Sequence, residues 1–301
     1  MVHRPVARMD RRIVAAQAER VRNPDRRDSS VFSLTWVHRR AARAVGVVVL
    51  VGAVCATTMT GSAGAIVNGG NSPQRYPFMA TVPVSVPHVR DDGVCGASLI
   101  DPRWVLTAAH CVDPKLVKPD GIVRIGSARR TSGGTVRAID ATFTHPGYAL
   151  GGPNRNDVAL IRLDRPVSER PIRIAARPGR PGTPTRLLGF GTVVDTEDLT
   201  KAVFPDRLRQ LDTRRGSDAE CAPGYAGRTR LCTVSRVPHA MACYGDSGGP
   251  QIRRGHGGRW ELIGTTSGPG APDLACADGP GLYSSVPAYA GWIRRTIARN
   301  G

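Results

Sequence analysis

Glycine and proline punctuate this chain so densely that long helices cannot form between them. There are 35 Gly and 24 Pro among 301 residues, about a fifth of the sequence. Inside a helix each Gly costs about 1 kcal/mol and each Pro about 3 kcal/mol relative to Ala, so bundles and other long-helix architectures are excluded. The glycines follow no period of three, which excludes collagen. Between the breakers lie short β-rich runs: Phe78–Val86, Gly93–Ile100, Trp104–Ala108, Gly121–Gly126, Thr135–Phe143 and Val158–Leu163. After a Pro-rich break at Arg177–Pro184 come Thr185–Val194, Arg207–Thr213, Arg230–Val234, Pro250–Arg253, Trp260–Thr266 and Gly281–Ser284. Many short strands separated by turn signals predict an all-β sandwich or barrel. Only Val286–Asn300 has helical spacing, with Tyr289, Trp292, Ile293 and Ile297 on one side and Arg294, Arg295 and Arg299 elsewhere. That pattern predicts a closing surface helix.

The formal charge of +18 first suggests nucleic acid. The detail argues otherwise, because 39 of the 42 basic residues are Arg and only Lys115, Lys118 and Lys201 are Lys. Scattered arginines with abundant Ala, Gly and Pro are the signature of a GC-rich genome rather than of a phosphate-binding stripe. No specific nucleic-acid partner is expected.

Residues 1–65 read as a basic leader and secretory signal. His38, Arg39, Arg40 and Arg43 precede the apolar run 44–56, and a small-residue segment ends at Ala63-Gly64-Ala65. Thirteen apolar residues fall short of the roughly 20 that span a bilayer. Residues 1–37 exceed what export needs, so Met9, Val31 and Val37 are alternative starts. Arg39-Arg40 leaves a twin-arginine signal open against an ordinary one. Of seven cysteines, Cys55 lies in the leader and six remain, an even set suited to an oxidising, extracellular location.

Three separated segments carry the chemistry. The first is Gly245-Asp246-Ser247-Gly248-Gly249-Pro250, a serine set among glycines. It satisfies the Gly-x-Ser-x-Gly spacing of the α/β-hydrolase elbow, yet that fold needs crossover helices and a His after the Ser. Here the best histidine comes first: His110, in Thr107-Ala108-Ala109-His110-Cys111, at the end of an apolar strand. The third is Asp157, in Asn156-Asp157-Val158-Ala159-Leu160, at the mouth of another. A carboxylate that orients an imidazole beside a serine is the constellation of nucleophilic acyl transfer.

In this His-Asp-Ser order, with separations of 47 and 90 residues, the chain resembles the chymotrypsin-like (trypsin-type) secreted serine endopeptidases over about 66–300. The resemblance extends more loosely to bacterial members, and with the GC-rich signature an actinobacterial one is expected. It implies two six-stranded antiparallel β-barrels, carried by 66–176 (His110, Asp157) and 177–301 (Ser247, with the terminal helix 286–300), and a cleft between them. His110, Asp157 and Ser247 are then the catalytic residues, and the N–H groups of Gly245 and Ser247 the oxyanion hole. The family's start, Ile-Val, matches Ile66-Val67, and Asp246 matches the partner of its ammonium. No Arg or Lys precedes Ile66, so cleavage after Ala65 by signal processing is expected to activate the protein directly. The resemblance also implies disulfides Cys95–Cys111, Cys221–Cys232 and Cys243–Cys276.

In the substrate pocket the chain departs from trypsin. Met241 occupies the base position, followed by Ala242; Gly281 keeps the pocket open, and Ser267 is followed by Gly268-Pro269 where the family has Trp-Gly. Without a carboxylate at the base, an apolar or medium-sized P1 residue is expected, with Asp278 or Asp273 reaching in from the next loop as the alternative. Gly126–Arg137 lacks the paired acids of the family's calcium loop, and no metal or cofactor is expected. Polypeptide substrates and proteinaceous inhibitors are the expected partners, of a monomer with no membrane span once the signal is removed. A non-catalytic binding module on this fold and an esterase-type acyl hydrolase are the competing functions.

Overall fold

The computed structural model describes residues 66–86, 93–196, 198–272 and 275–301; the leader, the signal and Asp273 lie outside the described residues. The strands of the first half are β1 (Gly70–Asn71), β2 (Met79–Ser85), β3 (Gly93–Asp101), β4 (Trp104–Thr107), β5 (Lys118–Pro119), β6 (Ile122–Ile125), β7 (Thr135–Thr144), β8 (Ala159–Leu163) and β9 (Arg173–Ile174). The second half supplies β10 (Pro184–Gly189), β11 (Arg209–Arg215), β12 (Arg230–Ser235), β13 (Pro250–Arg254), β14 (Trp260–Pro269) and β15 (Gly281–Ser285), then helix α1 (Val286–Asn300).

Two rings of six antiparallel strands close. The first runs β3-β4-β8-β7-β6-β2 and returns to β3; the second runs β11-β10-β13-β14-β15-β12 and returns to β11. Closure removes the open sheet edges that an isolated sheet of such short strands would present. β5 extends β2, β1 extends β11, and β9 pairs β14 in parallel. Inward residues fill both rings. Val82, Leu99, Val105, Leu106, Ile125, Leu160 and Ile161 are at most 1% exposed, and each such side chain contributes roughly 1.5–3 kcal/mol by leaving water.

The expected run Thr185–Val194 is a strand only to Gly189. Beyond it the chain turns inward, and Gly191 donates its N–H to Asp246 Oδ1 at 2.8 Å. A Cβ on Gly191 would lie 2.4 Å from that carboxyl, so only glycine allows the approach. Helix α1 starts with Pro287 in its first turn and buries Tyr289 and Ile293. It braces the first barrel, since Tyr289 and Trp292 stack on His145 and the Asn300 carbonyl accepts from Arg162. Disulfides join Cys95–Cys111, Cys221–Cys232 and Cys243–Cys276. No helix among the described residues is long and apolar enough to cross a membrane.

Candidate active site

Strand pairing creates the first contact. β4 and β8 run antiparallel with Thr107 opposite Ala159, so the residues just past one end and just before the other meet. His110 sits there on a single 3-10 turn, and Asp157 precedes β8. Asp157 Oδ2 lies 2.8 Å from His110 Nδ1, and Asp157 Oδ1 accepts the His110 backbone N–H at 3.0 Å. Because an ionised carboxylate only accepts, the ring proton belongs on Nδ1 and leaves Nε2 as the free acceptor. Burial alone would raise the Asp157 pKa. The His110 imidazole, its N–H groups and the Ser267 hydroxyl outweigh it and hold the carboxyl below its usual value.

The second barrel completes the cradle of that acid. Ser267 Oγ donates to Asp157 Oδ2 at 2.6 Å, and Ser284 Oγ donates to the Asp157 carbonyl at 2.7 Å. Ser267, expected as pocket wall, therefore serves the acid as well as the wall. Ser284 and Asn154, whose side-chain amide lies 3.5 Å from Asp157 Oδ2, were not legible as site residues. Only the spacing of Asn154, three residues from Asp157, offered a signal.

Ser247 lies in a loop between Cys243 and β13. Asp246, Gly248 and Gly249 direct their N–H groups to Cys243, Thr266 and Asp246 carbonyls at 2.9 Å. The N–H groups of Gly245 and Ser247 have no acceptor among the described residues. Gly245 has φ +89°, a conformation suited to glycine, and a Cβ there would strike the Phe204 ring at 2.7 Å. His110, Gly245 and Ser247 line one cavity of about 470 Å³.

Met241, Ala242, Ser267, Gly268 and Gly281 line the same cavity, with Met241 only 1% exposed at its base. A Cβ on Gly281 would fall 3.0 Å from Met241 Sδ, so glycine leaves the thioether facing the opening. Among the described residues no Asp, Glu, Lys or Arg lines this cavity. Asp278 pairs instead with His239 at 3.1 Å. Gly268 and Pro269 continue β14 opposite Leu282 and Gly281 after a bulge, so the missing proline N–H leaves the strand intact.

Asp246 is fully enclosed, and besides Gly191 its carboxylate accepts the Cys243 N–H at 3.0 Å. Burial pushes its pKa up to about 7, against the weaker pull of those two hydrogen bonds. Among the described residues it has no cationic partner. Ile66, completely buried with Met241 and Tyr283, has φ +57°, a strained value for a β-branched residue. Its segment is anchored: Val67 bridges Met241, Asn68 donates to the His239 carbonyl at 2.6 Å, and buried Arg209 donates to the Gly69 carbonyl at 3.1 Å. Asp195 clusters with Cys243 and Cys276, whose sulfurs are joined to each other and so offer no thiolate to a metal.

Comparison with known proteins agrees with this architecture. Residues 66–293 match the family profile described as Trypsin. Kallikrein-15 of Homo sapiens is 34% identical, over 68% of this chain and 82% of the relative. Kallikrein-11 of Homo sapiens is 31% identical over 69% and 73%, and Serine protease 57 of Homo sapiens 33% identical over 80% and 84%. All three are human and lend nothing to a bacterial origin. The chain belongs to the trypsin family and is a serine endopeptidase.

Proposed function

We propose that Ser247, His110 and Asp157 carry peptide hydrolysis and that the N–H groups of Gly245 and Ser247 hold the oxyanion. The observation that carries this reading is the pair of uncommitted N–H groups in the cavity that also receives His110. Ser247 Oγ attacks the scissile carbonyl carbon while His110 Nε2 takes its proton. Asp157 keeps the imidazole in the competent tautomer and stabilises the imidazolium. Each N–H on the oxyanion contributes about 2.7–4 kcal/mol to the transition state. As the C–N bond breaks, His110 returns the proton to the leaving amine, and water then releases the acyl group from Ser247. A fluorophosphonate should label the wild type and not Ser247→Ala; an unlabelled, properly processed wild type sinks the reading.

The uncharged base at Met241 supports an apolar or medium-sized P1 residue, and a cleavage profile dominated by P1 Arg would refute it. The matured protein acts as an extracellular monomer, on polypeptides and under proteinaceous inhibitors, with 66–176 and 177–301 as its two domains. Cleavage after Ala65 frees the Ile66 ammonium for Asp246, and the strain at Ile66 supports this, because φ ceases to be a constraint once the preceding carbonyl is gone. N-terminal sequencing of the exported protein tests it: full activity with a start upstream of Ile66 refutes direct activation.

A further inference from the structure

No disulfide ties down the segment that begins at Ile66, since the first cysteine after it is Cys95. β1 pairs with β11 over only two residues, Gly70 opposite Gln210 and Asn71 opposite Arg209. Ser72 adds its N–H on the Leu208 carbonyl at 2.8 Å and its hydroxyl on Gln210 Oε1 at 3.2 Å. Each neutral hydrogen bond of this kind favours the seated segment only about fivefold.

Arg209 offers a stronger hold. It is 4% exposed, yet among the described residues no carboxylate pairs with it and its Nε has no acceptor. Burial, with Arg207 nearby, holds its guanidinium below the usual arginine pKa. The groups that replace its lost hydration both belong to the Ile66 segment: Nη2 donates to the Gly69 carbonyl at 3.1 Å, and Nη1 donates to Asn71 Oδ1. Enclosing a guanidinium is costly unless such acceptors stay in place. Both acceptors follow Ile66 in the chain, so a cut before Ile66 leaves them on the segment.

This grip bears on the reaction, resting on the reading that the freed Ile66 ammonium pairs with Asp246. Asp246 accepts the Cys243 N–H at 3.0 Å and directly precedes Ser247. A segment that lifts away therefore removes the charge pair that fixes the loop carrying the Gly245 and Ser247 N–H groups. We propose that Arg209 is a positioning residue: it clasps Gly69 and Asn71, keeps Ile66 seated, and so sets the fraction of molecules with a formed oxyanion hole. Losing hydrogen bonds from a charged donor raises the unseated fraction about 10- to 100-fold.

The test follows acetylation of the Ile66 amine in the Ile66-start protein by an N-hydroxysuccinimide ester of acetic acid. Mass spectrometry of the N-terminal peptide gives the rate, and peptidase activity is measured in parallel. A seated amine is shielded, so the rate reports the unseated fraction. Arg209→Met, which keeps an apolar stem, is expected to speed acetylation about 10- to 100-fold with KM unchanged. Arg209→Lys, a point charge instead of a fork, is expected to fall between the two. Asn71→Ala, at an exposed position, removes one acceptor without emptying the buried site, and should speed acetylation about fivefold or more. Urea unfolding separates seating from folding: an acceleration matched by an equal loss of global stability overturns the positioning role. Equal acetylation rates in the wild type and the variants, with activity lost on acetylation, overturn this inference alone. Activity that survives complete acetylation of Ile66 overturns its pairing with Asp246 and this inference with it.

Discussion

Asp246 makes the uncut chain sensitive to pH in a direction opposite to that of an acid held ionised by its partners. Its pKa rises from 3.8 to about 7 in the folded protein because it is enclosed with two N–H donors and, among the described residues, no cation. Below 3.8 the group is protonated whether the chain is folded or not. As pH rises further, the unfolded chain releases this proton and the folded one keeps it, so stability falls by about 1.4 kcal/mol per unit until the folded value is passed. Between 3.8 and about 7 that slope removes about 4 kcal/mol, a large share of a typical domain's stability. Asp157 behaves oppositely: with its pKa held below the usual value, its contribution is complete above about pH 4 and is lost on acidification. The assay is urea unfolding with disulfides intact, between pH 4 and 8, on protein starting at Ile66 and on protein retaining residues before it. The extended form should lose stability across this range, and the form with a free Ile66 ammonium should not. Asp246→Asn in the extended form should flatten its profile. An extended form equally stable at pH 4 and 7, or a slope that survives Asp246→Asn, would refute the reasoning.

Asp157→Asn preserves the shape of the cradle but no longer fixes the proton on His110 Nδ1; kcat should fall about 10⁴-fold, measured on a P1-optimised peptide. Ser267→Ala removes a 2.6 Å hydrogen bond to a buried carboxylate, which should cost about 1.5–3 kcal/mol in urea unfolding at neutral pH. An unchanged midpoint would show that the contact contributes nothing. Met241→Asp places a carboxylate at the base of the pocket, and kcat/KM for P1 Arg relative to P1 Leu should rise roughly 10- to 100-fold.

The twelve runs read between breakers correspond to the twelve strands of the two rings, because the ring strands alternate or bury apolar residues. β1, β5 and β9 have two residues each, too few for any periodicity to register. The overreach beyond Gly189 has a different cause: Phe190 and Val193 look like strand residues, but the segment bends because Gly191 must serve a carboxyl 55 positions away. Distance along the chain limited the site in the same manner. His110, Asp157 and Ser247 announce themselves through their neighbours in sequence. Ser284 reaches Asp157 from 127 positions away, and nothing beside Ser284 marks it. Phe204 is likewise an unremarkable aromatic until its ring is found against Gly245.

The cradle of Asp157 draws its atoms from both halves of the chain: His110 and Asn154 come from the first barrel, Ser267 and Ser284 from the second. An emerging chain that has finished only its first barrel therefore holds the acid and the imidazole without the hydroxyls that fix the acid, and without Ser247. Peptide hydrolysis by the proposed triad therefore requires both barrels to be docked, in addition to the freed Ile66 ammonium. A half-made molecule is thus harmless to its unfolded neighbours, a safeguard inherent in dividing one carboxylate's partners between two barrels.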